Sequence, residues 1–228
     1  MLTVHHLDNS RSQRVLWLLE ELGVSYEVKR YTRHKHTMLA PPELRAIHPL
    51  GKSPVITDAD ATIAESGAIV EYLIERYGDG RFVPVAGTPE RRRYTYWLHY
   101  AEGSAMPPLL LKLVFSRMAK GPVPFLVRPI VRSIANKVLT SYVDPQLMLH
   151  AMYIESELAK SEWFAGSELT GADIQMSFPL EGLAARASLA GASPRIHAFL
   201  AKIHARPAYQ RALERGGPYS LGVTSRAS

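Results

Sequence analysis

The segment from Gly51 to Leu73, GKSPVITDADATIAESGAIVEYL, concentrates the residue types that can hold a small ligand by its main chain and its charges. Ser53-Pro54 stands at the mouth of a short apolar run. Proline lacks a ladder donor there and is the one residue whose cis peptide is cheap, so a cis bond would turn the N–H and C=O of Ser53 outward toward an extended ligand. Farther on, Ser66 precedes the helical period of Ile69, Val70, Leu73 and Ile74. It is expected to be the N-cap, with unpaired amides behind it that attract a carboxylate. Glu65 beside it offers a negative charge to a ligand ammonium. Together these groups suit a small zwitterionic peptide; the plainer alternative is a turn proline, an ordinary cap and a solvated acid.

The elements that must position these groups can be read from the pattern. Residues 2–7 form a short strand, Asp8, Asn9 and Ser10 a turn, and Val15, Leu16, Leu18, Leu19 and Leu22 a helix that ends at Gly23. Residues 25–31 alternate as a second strand, a short helix starts at Pro41-Pro42-Glu43, and 54–57 with 61–64 make a hairpin. A helix follows over 66–77, giving the order βαβ, α, ββα. The Gly- and Pro-rich stretch 79–89 reads as a linker between residues 1–78 and 90–228. Beyond it the periods are helical: a long segment from Glu90 to about Met118, two or three helices to Lys160, then 171–189, 194–206 and a short tail helix. Thr170-Gly-Ala-Asp173 has capping-box form with Asp in place of Glu or Gln.

At 228 residues the chain can build one large domain or two small ones. It contains no cysteine, which excludes disulfides, thiolate metal sites and a protein sulfur nucleophile, so any sulfur chemistry must come from a substrate. The nine histidines lack metal-ligand spacing, and neither a Walker nor a dinucleotide-binding glycine pattern is present. No metal and no nucleotide are expected. The net charge of +6 favours anionic partners, but without a recognition-helix, zinc-finger or ribonucleoprotein motif nucleic acid is not among them. No bilayer-spanning run and no signal-peptide pattern are visible, so a cytoplasmic location is expected.

The segments NSRSQRVLWLLEEL (9–22), APPELRAIHPLGKSPVI (40–56), ESGAIVEYL (65–73), AEGSAMPPLL (101–110) and LTGADIQMSFPL (169–180) together resemble the cytosolic glutathione transferases. They look most like the fungal and bacterial Gtt1-type members. The resemblance covers residues 2 to about 215. It implies a thioredoxin-like α/β N-terminal domain with a cis-proline, an all-α C-terminal domain that carries an electrophile pocket and dimer contacts, and a homodimer acting on glutathione as co-substrate. Ser53, preceding Pro54, matches the residue whose main chain pairs with the cysteinyl part of glutathione, and Glu65 and Ser66 match the pair that holds the γ-glutamyl end. Lys52 stands where members often contact the glycyl carboxylate; an exposed loop lysine is the plainer reading.

The family works mainly by stabilising the thiolate with a donor at about 3 Å, which favours the charged form of the sulfur. Tyrosine-type members would place their phenol near His6, which is not a tyrosine, so that mechanism is not expected here. Serine-type members place a hydroxyl a few residues later, and Ser10 is the first choice for it. Asn9 is the alternative, as an amide donor that never ionises, and a backbone amide remains open. Against Ser10 stands the spacing Ser10-Arg-Ser-Gln13, which would engage its hydroxyl with the amide of Gln13.

Tyr96, His99, Tyr100, Gly103 and Met106 recur at helical spacing and are expected to line the pocket for a small hydrophobic electrophile; plain core is the alternative. Glu102 would lie near the dimer interface and help bind the ligand amine of the other subunit, although an interfacial salt bridge explains it as well. Between Gly103 and Val143 no acid interrupts Lys112, Arg117, Lys120, Arg128, Arg132 and Lys137. A solvated helix face explains this better than peripheral contact with anionic lipid. His34 and His36, beside Arg33 and Lys35, form a further carboxylate-facing patch. The activity implied is transfer of glutathione to an electrophile, with peroxide or small-disulfide reduction as variants. The alternative is a non-catalytic glutathione- or ligand-binding protein, or a dimerisation scaffold, on the same fold.

Overall fold

A computed structural model describes residues 1–35, 37–121, 123–186, 193–217 and 219. His36 of the basic loop and the end of the expected 171–189 helix at Leu189 lie outside the described residues.

Four strands and three helices alternate first: β1 (Thr3–Leu7), α1 (Ser12–Leu22), β2 (Glu27–Tyr31), α2 (Pro42–Ile47), β3 (Val55–Asp58), β4 (Ala61–Ala64) and α3 (Ser66–Tyr77). The sheet order is β2-β1-β3-β4. β1 runs parallel to β2 and antiparallel to β3, with His5 opposite Val55, and β3 pairs with β4 as the expected hairpin. α1 ends as its glycine predicts: Gly23 adopts φ 73° and returns its N–H to the carbonyl of Leu19.

From Pro89 on, every described element is a helix: α4 (Pro89–Tyr100), α5 (Met106–Lys120), α6 (Arg128–Val138), α7 (Asp144–Leu158), α8 (Gly171–Arg186), α9 (Pro194–His204) and α10 (Pro207–Gly216), with a short 3₁₀ turn at Phe125–Val127. The long segment after Glu90 is one helical run interrupted by a π-turn at Ala101–Ala105, and a second π-turn at Leu139–Val143 precedes α7. Both lie just before prolines, Pro107-Pro108 and Pro145. A proline inside a helix cannot donate to the carbonyl four residues back and its ring crowds that carbonyl, so a widened turn there relieves both problems.

The main core is continuous between the strand-bearing and helical portions. Val4, Trp17 and Leu73 belong to the same buried cluster as Trp97, Ile174 and Ile203. α8 approaches α3 closely at Gly171, where an added Cβ would stand 2.6 Å from Ile74 Cδ1 and 2.8 Å from Val70 Cγ1. Only glycine allows this approach, which seats the helix that begins at Ser66. On the other side of the sheet a small cluster of Leu7, Tyr31 and Leu44 packs under α2.

The capping box at Thr170–Asp173 forms in modified fashion. Asp173 accepts from the amides of Thr170 and Phe164 and from the Thr170 hydroxyl, each at 2.8 Å. The Thr170 hydroxyl thus donates to the aspartate and is not the acceptor for its amide. Among the described residues no helix is long and apolar enough to cross a membrane.

Candidate functional site

The Ser53-Pro54 bond is cis, as the sequence predicts. Because Pro54 cannot donate, the rung beyond Val55 is made by a side chain: the Ser53 hydroxyl donates to the carbonyl of His5 at 2.9 Å and accepts from the amide of Leu7 at 3.3 Å. The end of β1 is thereby satisfied without the main chain of Ser53.

Ser10 is buried at the turn between β1 and α1, its hydroxyl 3.2 Å from that of Ser53. Its expected capping partner is different. The amide of Gln13 goes to the Ser10 carbonyl at 3.4 Å, while the Ser10 hydroxyl accepts from the Ser12 amide at 3.3 Å and meets the Ser12 hydroxyl at 2.7 Å. Ser12 Oγ in turn lies 2.8 Å from Nδ1 of the buried His6. His6, Ser12, Ser10 and Ser53 form one continuous chain of polar atoms. Asn9 sits beside it in the left-handed region, φ 50°, which asparagine tolerates better than most residues, and its side chain is exposed.

Burial lowers the pKa of His6, with Arg30 adding to this and Asp8 opposing it. The neighbouring His5 points the other way, 2.8 Å from the Tyr31 hydroxyl and 3.3 Å from Thr57 Oγ1, and burial and then Lys29 lower its pKa too. Both histidines are thus engaged separately. Among the described residues no group of three His, Cys, Asp or Glu could hold a metal ion.

At the second turn the structure corrects one expectation. Ser66 is not the N-cap of α3: Glu65 is, with φ 72° and ψ 123°, and the buried Ser66 is the first helical residue. The chain must leave β4 at Ala64 and enter α3 within a single residue, and a positive φ at Glu65 makes that reversal. For a residue with a Cβ this conformation is uncommon and costs about 1–3 kcal/mol. The result is an exposed carboxylate directly before the first free amides of α3. Lys52 is exposed on the loop before Ser53, and Pro54 is buried.

The helical run contributes unevenly. Glu102, in the π-turn, accepts from Arg14 and lies 3.4 Å from Arg11 Nε, so its carboxylate contacts two guanidinium groups of its own chain. Arg14 is fully buried, also donates to the carbonyl of Gln175, and lies 5.4 Å from the centroid of the Phe178 ring. Burial lowers its pKa and Glu102 opposes that shift. Tyr96 and Tyr100 stack on each other and pack with Trp97 and Tyr153, and the Tyr100 hydroxyl bonds to His150 on α7. Met106 is buried, while His99 and Gly103 are exposed.

Three residues that the sequence reading did not place in the site are thus part of its frame: His6, Ser12 and Arg14. A signal existed for two of them, since a Ser-x-Ser at a helix entry next to a strand-end histidine puts three hydroxyl or imidazole groups on one turn. Arg14 carried none, because its acceptors lie about 90 and 160 residues away in sequence, at Glu102 and Gln175.

Residues 1–75 match the family model described as Glutathione S-transferase, N-terminal domain, and residues 118–207 match that described as Glutathione S-transferase, C-terminal domain. The chain is 39% identical over 180 residues to Glutathione S-transferase 3 of Schizosaccharomyces pombe, covering 79% of this chain and 73% of that protein. It is 34% identical over 188 residues to Glutathione S-transferase 1 of Saccharomyces cerevisiae, covering 79% and 80%. Its structure resembles that of a glutathione S-transferase from Actinobacillus pleuropneumoniae with a TM-score of 0.79 at 36% identity, over 97% of this chain and 95% of that one. It shares its fold, at 20% identity and a TM-score of 0.75 over 94% of each chain, with a glutathione transferase of Phanerochaete chrysosporium crystallised with oxidized glutathione. With two domain models in the right order, curated relatives above 30% identity and a cis-proline sheet carrying the expected turns, the chain belongs to the glutathione S-transferase family.

Proposed function

We propose that the chain is a homodimeric, cytoplasmic glutathione transferase. It holds glutathione along Ser53-Pro54 and the Glu65-Ser66 helix entry, keeps the sulfur ionised with a hydrogen bond from Ser10, and directs the thiolate to an electrophilic carbon, a peroxide or a small disulfide. Residues 1–78 form the glutathione-binding unit, 79–89 the linker, and 90–228 the helical unit. The observation that carries this reading is the 3.2 Å contact between the hydroxyls of Ser10 and Ser53, which puts a buried donor at the cis-proline where the cysteinyl main chain would lie.

The chemistry asks little of the protein beyond position and electrostatics. The thiol gives its proton to solvent, the Ser10 hydroxyl donates to the resulting thiolate, and the sulfur electron pair forms the new bond as the leaving group departs. The ligand ammonium faces Glu65, its γ-glutamyl carboxylate takes the amides at the start of α3, and Lys52 is within the loop that would meet the glycyl carboxylate. Met106, His99 and Gly103 remain the pocket candidates because they flank Glu102, which reaches Arg11 and Arg14 beside the Ser10 turn. Tyr96 and Tyr100 are engaged in packing against α7, and Glu102 would meet a partner subunit as a carboxylate already bound to two guanidinium groups.

Ser10→Ala is expected to raise the pKa of bound glutathione and cut turnover by ten-fold or more, about 1.4 kcal/mol in the transition state. The readouts are the ultraviolet absorbance of the thiolate against pH and the rate with chlorodinitrobenzene. Asn9→Ala, made in parallel, should leave both unchanged; the reverse outcome would transfer the role to Asn9. Absence of any calorimetric signal with millimolar glutathione would overturn the whole reading.

A further inference from the structure

We infer that His6 and Ser12 are positioning residues for Ser10: together they force a one-way hydrogen-bond chain that leaves the Ser10 proton available to the substrate sulfur. This rests on the proposed role of Ser10 and extends it inward.

The argument is a count of protons. The Ser53 hydroxyl has one, and it goes to the carbonyl of His5, which can only accept. In the 3.2 Å contact between Ser10 and Ser53 the proton is therefore that of Ser10. Ser10 then has none left for its 2.7 Å contact with Ser12, so Ser12 supplies it. The proton in the 2.8 Å contact between Ser12 and His6 must consequently sit on Nδ1 of the imidazole. Only this assignment satisfies all four contacts, and it runs in one direction from His6 through Ser12 and Ser10 to Ser53.

Its consequence is chemical. Were His6 an acceptor at Nδ1, Ser12 would donate to it, Ser10 would donate to Ser12, and no hydroxyl proton would remain for a thiolate. With Nδ1 protonated, the Ser10 oxygen is filled by two donors, the hydroxyl and the amide of Ser12. Its own proton rests on a long contact that a thiolate can replace by rotation about a single bond. Donors in series also polarise one another, which strengthens the terminal bond. His6 is well placed to hold one tautomer. It is buried, with Arg30 from β2 and Asp8 from its own turn as charged neighbours, while Gly216 at the end of α10 lies so close that an added Cβ would stand 3.4 Å from His6 Cε1.

The test uses the full-length protein with ¹⁵N-labelled histidine. Imidazole ¹⁵N shifts of His6 between pH 7 and 8 should show a protonated Nδ1 and a bare Nε2; the opposite tautomer would overturn the inference without any substitution. In the glutathione complex, Ser12→Ala should raise the pKa of the bound thiol by about 0.5, a three-fold loss of thiolate where the thiol predominates, with the KM for glutathione unchanged. A thiol pKa equal to that of the unaltered protein would also overturn it. Ser10→Ala separates the two levels: if it shifts the thiol pKa and Ser12→Ala does not, the relay fails and the role of Ser10 stands. If neither shifts it, both fall.

Discussion

The turn around Ser10 and the helical stretch 96–106 were both marked by polar or aromatic residues at suggestive spacing, yet they use them differently. At the turn, residues from β1, α1 and the Ser53 loop meet in one buried chain of hydroxyls and imidazole. Along the helix, the five pocket candidates separate: Tyr96 and Tyr100 pack toward α7, Met106 is buried, and His99 and Gly103 face out. Side chains on a tight turn next to a cis-proline converge because the backbone there reverses. Side chains three and four apart on a helix share a face but need not share a function, since the same face also has to pack. Glu102 joins the regions, since its carboxylate holds Arg14 of α1 and Arg11 just before it from the middle of the helical run.

Breaking that joint should have the largest effect. Glu102→Ala leaves the fully buried Arg14 guanidinium with the Gln175 carbonyl and no counter-charge, and removing one member of a buried pair typically costs about 3 kcal/mol or more. Denaturant unfolding should show this loss, and thiolate formation should suffer with it if α1 shifts. A variant that unfolds like the unaltered protein would mean that the two regions are held together elsewhere.

The next effect distinguishes the regions from each other. Ser10→Ala should cost ten-fold or more in turnover at little cost in stability, about 1.4 kcal/mol on the thiolate side. Tyr100→Phe should do the reverse, removing the bond to His150 for about 1 kcal/mol of stability while leaving the thiol pKa alone. If Tyr100→Phe instead raised the KM for the electrophile ten-fold with no loss of stability, the aromatic stretch would be pocket and not packing.

A pH series sharpens the same contrast. Burial lowers the folded-state pKa of His5 and His6, so the unfolded chain takes up protons near pH 6.5 while the native turn resists them. Their contribution to stability is full above pH 6.5 and is lost as pH falls through the lower, folded values. Asp173 acts with the opposite sign and in a lower window. Burial, against three donated hydrogen bonds, pushes its carboxyl up to about 6 from an ordinary 3.8, so its contribution is present below pH 3.8 and lost by about pH 6. Denaturation midpoints should thus fall between pH 7 and 6 and flatten below pH 6, and Asp173→Asn should remove the flattening. The smallest effect is reserved for His99→Ala, an exposed change expected to move stability by less than about 0.5 kcal/mol; a larger change in KM for the electrophile would put His99 in the pocket.

Much of the frame was legible beforehand, for local reasons. Gly23 ends α1, Pro41-Pro42 opens α2, Pro54 is cis, and the hairpin follows its turn residues. Where the reading missed, the deciding interaction was not local. Ser66 looked like a cap because serine before an apolar period usually is one, but the strand end at Ala64 leaves a single residue for the reversal, and Glu65 makes it. The capping alternative would have engaged the Ser10 hydroxyl with Gln13, but Ser12 and Ser53 are its partners. Tyr96 and Tyr100 gave no sign of which helix would lie against them, because helical period identifies a face and not its occupant.

The sequence alone therefore determined the order of elements, the positions of the two turns proposed to meet glutathione, and the absence of a protein thiol, all set by backbone-restricted residue types or by simple presence. Only the tertiary structure decided which hydroxyl is backed by an imidazole, which arginine is buried against which carboxylate, and which aromatic residues are occupied with packing. These depend on atoms brought within hydrogen-bond distance across 6 to 161 positions of chain. A polar group's role is set by the partner that satisfies it once water is excluded, and that partner is chosen by the fold.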